Sequence, residues 1–143
     1  MKLAKSFISE LDIRRTLKDH AKDKIFWIEP SAGSTMGLPD CFIASDAGAM
    51  FCELKIGILT RKGVLTFAVR REQRTTLKRM VRLKIDVRII VGIKGTRALF
   101  MLLPDQKGDW LSGRVHLNNG LHKKTIHAIN INTMKNRSEL VLH

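Results

Sequence analysis

The chain of 143 residues has no tyrosine, two cysteines, three prolines and few aromatics of any kind. With so few rings, a platform on which successive bases of a single strand could stack is not evident. Cys41 and Cys52 are too few for a disulfide framework or a zinc site of their own, and both lie in apolar runs where a buried, reduced thiol is the ordinary state. No apolar run approaches the roughly 18 residues needed to span a bilayer. The opening segment MKLAKSFISELDIRRTLKDH holds no unbroken apolar stretch and no small-residue cleavage site, so a secretory leader is not expected. Acidic residues are also scarce, 13 against 26 lysines and arginines, for a formal net charge of +13.

That imbalance repels itself in a compact state and points to a polyanionic partner, with nucleic acid ahead of a membrane surface. A cytoplasmic location follows, in a host cell's cytoplasm if the source is a phage, towards which a small, basic, stand-alone domain leans. The length suits one domain with a real core.

Along the chain, Leu3, Phe7, Leu11, Ile13 and Leu17 recur at helical spacing, so a first amphipathic helix is expected from about Leu3 to Lys24. KIFWIE reads as a strand, and PSAGSTMGLP as a loop. DCFIAS and AMFCELKI are two strands joined at DAG, where Gly48 supplies the positive φ that a tight turn demands. GVLTFAV extends the meander. RREQRTTLKRMVRLK, with Leu77, Met80, Val81 and Leu83 on one side, is a second helix, and DVRIIVGI and RALFMLL are strands. The expected fold is a single α/β domain, a central mixed β-sheet flanked by helices in αβββαβ order. Residues 1–103 form its core and 104–143 an extension of the same domain, in which GRVHLNNG and KTIHAINI could add short strands.

The stretch GLPDCFIASDAGAMFCELKIG raises a chemical question. Pairing outward from the turn puts Ser45 opposite Ala49, Cys41 near Cys52 or Glu53, and Asp40 opposite Glu53 or Leu54, with the register open by about a residue. Alternation along a strand places Glu53 and Lys55 on one face, Cys52, Leu54 and Ile56 on the other. Asp40 then joins Glu53 and Lys55 at one end of the hairpin. Two carboxylates held together repel, and one would ordinarily take up a proton. A divalent cation removes the conflict, and hard oxygen donors with open positions suit Mg²⁺. Lys55 beside it would offer a donor and a positive charge to an attacking water.

G-L-P-D followed by C-E-L-K resembles the PD-(D/E)XK nuclease superfamily, and with the later Gln73 it looks most like the VRR-NUC and Holliday-junction-resolvase-like branches. The resemblance covers about Ser6 to Val91 and implies a restriction-endonuclease-like core. It implies that Asp40 and Glu53 bind the metal, with the Leu54 carbonyl as a further ligand, and that Lys55 positions the water. It also matches Gln73 to a catalytic Gln at the start of the following helix, Glu10 to a Glu of the first helix, and Ser31 to a substrate-side Ser. The run ILTRKGVLTFAV between Lys55 and Gln73 departs from the compact VRR-NUC pattern and bears on Gln73. The implied cofactor is Mg²⁺, with Mn²⁺ as a substitute.

Arg70, Arg71, Arg74, Lys78, Arg79 and Arg82 recur every three or four residues on the second helix, a stripe suited to phosphate contacts together with Arg14, Arg15, Lys18, Lys22 and Lys24 on the first and Arg61 and Lys62 in the meander. His116, His122 and His127 match no zinc-ligand spacing. Trp27 and Trp110 are expected in or at the edge of the core. The expected function is a metal-dependent DNA endonuclease acting on Holliday junctions or other branched or duplex DNA, as a homodimer if it resolves junctions symmetrically. The alternatives are a basic DNA-binding protein that keeps the fold without catalysis, and a nuclease directed at flaps, ends or RNA.

Overall fold

A computed structural model describes residues 6–21, 26–28, 37–45, 48–105, 108–117 and 126–129. The elements run α1 (Glu10–Ala21), β1 (Phe26–Ile28), β2 (Cys41–Ser45), β3 (Gly48–Leu59), β4 (Val64–Phe67), α2 (Arg71–Arg82), β5 (Val87–Ile93), β6 (Leu99–Leu102), a 3₁₀ turn at Asp109–Leu111, β7 (Arg114–His116) and β8 (Ile126–Ile129). Among the described residues this is an α/β fold with one mixed sheet and two helices. Among those residues four strands lie between the helices where the αβββαβ order counted three; the fourth is β1, in the segment KIFWIE that reads as a strand, and it pairs antiparallel with β2. Among the described residues no helix is long and apolar enough to cross a membrane.

The sheet runs β1-β2-β3-β5-β6-β8, with β4 on β3 and β7 on β4. β3 and β5 pair in parallel from Phe51↔Val87 to Gly57↔Ile93, and the other pairings are antiparallel. Every residue of β5 is buried because both of its faces are covered, which is why its sequence VRIIVGI does not alternate. On one face Phe7, Ile13 and Leu17 pack against Cys41, Ile43, Met50, Cys52, Leu54, Ile90, Leu99 and Met101. On the other, Leu77 and Met80 of α2 pack against Ile89, Val91, Leu102, Trp110 and Leu111. Each fully buried aliphatic side chain contributes about 1.5–3 kcal/mol against the chain's entropy, so both helices are anchored chiefly by these stripes.

Helix α1 is shorter than its apolar spacing suggests. It begins at Glu10 because Asp12 turns its carboxylate back to accept the backbone N–H groups of Ser9 and Ile8, both at 2.9 Å, and so closes the N-terminus. Phe7 is in the core but outside the helix, its N–H donating to Thr96 O and its carbonyl accepting from Gly95. Helix α2 ends with Lys84 N–H on Val81 O and Ile85 N–H on Met80 O, a Schellman closure that puts Lys84 at φ +64°. The chain turns away there, so Leu83 stays 61% exposed instead of joining the buried side of the helix.

The β2–β3 register is Ser45↔Gly48 through Cys41↔Cys52, one residue tighter at the turn than Ser45 opposite Ala49, with Gly48 at φ +141°. Cys41 and Cys52 are both free and buried. Trp110 is buried in the α2-side core, and His116 is exposed. Lys22, Lys24, Ser31, His122, the side chains of Trp27 and His127, and the C-terminal end lie outside the described residues.

Candidate active site

The long strand β3 changes neighbour along one edge. Residues 48–52 pair with β2 and 57–59 with β4, which leaves 53–56 without a strand on that side among the described residues. Asp40, the residue before β2, fills part of the opening: its Oδ2 accepts the N–H of Leu54 at 2.7 Å. In a strand the N–H and C=O of one residue point to the same edge, so the Leu54 carbonyl faces this notch as well. Glu53 and Lys55, alternating with Leu54, project to the α2 face.

Both are almost wholly buried, Glu53 at 1% and Lys55 at 7% exposure. Gln73 of α2, itself 4% exposed, closes over this face. Its Nε2 donates to Glu53 Oε1 at 2.7 Å, and its Oε1 accepts from Lys55 Nζ at 2.8 Å and from the Arg70 backbone N–H at 3.0 Å. Gln73 is the third helical residue, placed to cap the helix start, and the same amide bridges the buried ion pair, Lys55 Nζ to Glu53 Oε1 at 3.5 Å. The ILTRKGVLTFAV insertion therefore leaves Gln73 in reach: it is the tail of β3 together with the β3–β4 hairpin, and the chain returns from β4 to the helix start beside the notch. Phe51 belongs to the Glu53 face and packs half-buried against the α2-side core.

The other oxygen of Glu53, Oε2, is buried with no hydrogen-bond partner. Burial first, then the negative charge of Asp40, pushes the Glu53 carboxyl up to about 8, with Lys55 opposing. Glu10 stands exposed in the first turn of α1, yet its carboxyl also lies above its ordinary value, through partial desolvation and then Asp40, while Lys55, Arg14 and Arg70 pull it down. The fold thus brings Glu10, Asp40, Glu53, Lys55 and Gln73 to one notch.

Among the described residues no three His, Cys, Asp or Glu side chains form a metal-holding group. The donors that do meet are two carboxylates and one carbonyl, and a buried carboxylate oxygen without a partner is a polar atom that a cation would satisfy. One or two carboxylates with the remaining positions left to water is the habit of Mg²⁺. The residues present fit that ion.

The segment that delivers Asp40 is held tightly. Gly37 adopts φ +85°, and a Cβ there would stand 2.6 Å from Glu72 O and 2.7 Å from Thr76 Oγ1, so the loop lies directly on α2. Only glycine fits both the turn and the approach.

Arg70, Arg71, Lys78, Arg79 and Arg82 are exposed on α2, and Arg61 and Lys62 on the β3–β4 turn. Arg74 is half-buried, its Nε donating to Leu111 O at 3.3 Å. The two helices pack on opposite faces of the sheet, and at the notch Arg14 of α1 and Arg70 at the start of α2 both act on the Glu10 carboxyl. Arg88, buried at 6%, was not read from the sequence: it pairs with Asp86 through Nε and Nη2, both at 3.1 Å. The signal was available, since residues two apart on a strand share a face. No protein-family model matches the chain, and no curated protein matches it closely enough to count as a relative.

Proposed function

We propose that the notch is the active site of a metal-dependent phosphodiesterase acting on DNA, an endonuclease of branched or duplex substrates. The observation that carries this is the unpartnered, buried Glu53 Oε2 beside Asp40, next to a lysine whose position is set by Gln73. Such a carboxylate is costly for a fold to keep unless something in the working state uses it.

Asp40, Glu53 and the Leu54 carbonyl would hold Mg²⁺, which when bound supplies charge neutralisation at a phosphoryl oxygen and a more acidic water. The chain's own residues do the positioning. Lys55, pinned by Gln73 Oε1, orients the attacking water towards the phosphorus and offers positive charge to the equatorial oxygens as negative charge builds there. Gln73 also holds Glu53 Oε1, leaving Oε2 as the free donor. Glu10 at the rim gives the water's proton an acceptor. In-line attack forms the new P–O bond as the P–O3′ bond breaks, and the departing 3′-oxygen takes a proton from solvent water, leaving a 5′-phosphate and a 3′-hydroxyl. Exposed arginines at the start of α2 contact the flanking phosphates.

The test is cleavage of labelled four-way junction, flap, linear duplex and single-stranded DNA, with Mg²⁺, Mn²⁺ or EDTA, by wild type and Lys55→Ala. Metal-dependent cutting lost in the variant supports the reading, and the preferred substrate chooses between junction and flap or end cleavage. DNA binding without cutting of any substrate overturns it in favour of a binding protein with this fold.

A further inference from the structure

Beside α2, away from the notch, a cleft of about 270 Å³ opens between the helix and the 3₁₀ turn. Arg74 and Lys78 line it from the helix, and Gly108, Leu111 and Ser112 from the turn. We propose that this cleft seats one backbone phosphate of the bound nucleic acid, at a position separate from the phosphate that is cut. The proposal rests on the basic face being a nucleic-acid surface, and does not depend on the chemistry in the notch.

Four observations carry it. Arg74 is anchored through one nitrogen only, Nε to Leu111 O, which fixes the guanidinium at the cleft wall and leaves its terminal nitrogens without a partner among the described residues. Lys78 lies four residues on, exposed and with no ion pair among the described residues, so two like charges face one cavity at a spacing that costs an isolated helix a few tenths of a kcal/mol. An oxyanion between them relieves that repulsion and can accept from both. On the facing wall the Ser112 hydroxyl is engaged with Asp109 O and Arg114 O, the Asp105 carboxylate is turned onto the Asp109 N–H at 2.8 Å, and the space over Gly108 is open. Finally, Lys78 lies about 7.5 Å along the helix axis from Gln73 at 1.5 Å per residue, so the cleft flanks the site and does not overlap it. The turn that completes it belongs to the 104–143 segment, which thereby gains a binding role.

The test is the salt dependence of duplex binding in EDTA, where no cutting occurs, for wild type, Lys78→Gln, Arg74→Gln and, as an equal charge change on the β5–β6 turn, Lys94→Gln. Lys78→Gln and Arg74→Gln should each weaken binding severalfold and lower the slope of log K against log salt by about 0.9, the loss of one phosphate contact. Lys94→Gln should leave the slope unchanged. Lys78→Gln is the deciding variant, since Arg74 also ties down the turn. An unchanged slope in Lys78→Gln, or an equal fall in Lys94→Gln, overturns the proposal, as does stronger competition by polyglutamate than by duplex of equal charge. A fall in slope in a protein that cuts nothing would uphold the cleft while removing the nuclease reading.

Discussion

The Gln73 amide donates to the Glu53 carboxylate at 2.7 Å, joining the first turn of α2 to the middle of β3. One side chain therefore sets both the entry of the helix and the geometry of the charged pair. Replacing it with alanine removes the donor to Glu53 and the acceptor for Lys55 together. Gln73→Ala should cut more slowly by orders of magnitude while binding DNA in EDTA almost as wild type does, and should lose about 1.5–3 kcal/mol, the range for hydrogen bonds to charged groups. Urea unfolding beside single-turnover cleavage checks both.

Asp40→Asn keeps an oxygen for the Leu54 N–H and removes the charge. It should fold normally and fail to cut. Glu53→Ala and Lys55→Ala should also be inactive, and each should leave the far-ultraviolet dichroism of the chain unchanged. Undiminished cutting by Glu53→Ala would sink the assignment of the site.

The Glu53 carboxyl, at about 8 in the fold against 4.5 as its ordinary value, ties stability to pH. Its folded value lies above the unfolded one, so protonation favours the fold. The contribution is complete below 4.5 and is lost as pH rises through 8. The metal-free protein should melt progressively lower across that window, and Glu53→Gln should flatten the trend. Mg²⁺ binding near neutral pH should expel a proton, an effect that fades above 8, visible by calorimetry in buffers of different ionisation enthalpy.

Lys84 holds φ +64° at the end of α2, a conformation that costs a side chain about 1–2 kcal/mol and costs glycine little. Lys84→Gly should raise stability, by up to about 1 kcal/mol after the greater freedom of glycine in the unfolded chain is subtracted. A thermal melt reads it directly, and cleavage should not change.

Much of the architecture was legible because β-branched runs and helical stripes state their own period. DVRIIVGI and the α2 segment were placed to within a few residues. The errors have local causes. Phe7 shares the spacing of α1, but the carboxylate of Asp12 closes the helix start after it. The hairpin register, open by a residue in the sequence, takes the option that sets Cys41 opposite Cys52, with Ser45 opposite Gly48 where Ala49 was expected. Glu53 and Lys55 were assigned to one face correctly, yet their burial depends on how α2 settles over that face, which alternation along a strand does not encode. Arg88 was overlooked because a cation inside an apolar run looks like an interruption until Asp86 is seen beside it.

The change of neighbour along β3 has an evolutionary side. The hairpins with β2 and with β4 meet the strand at separate places, so either turn could lengthen without displacing residues 53–56. Loop residues could be gained or lost at either of those ends while Asp40, Glu53 and Lys55 keep their places, the tolerance to insertion that surface turns ordinarily have.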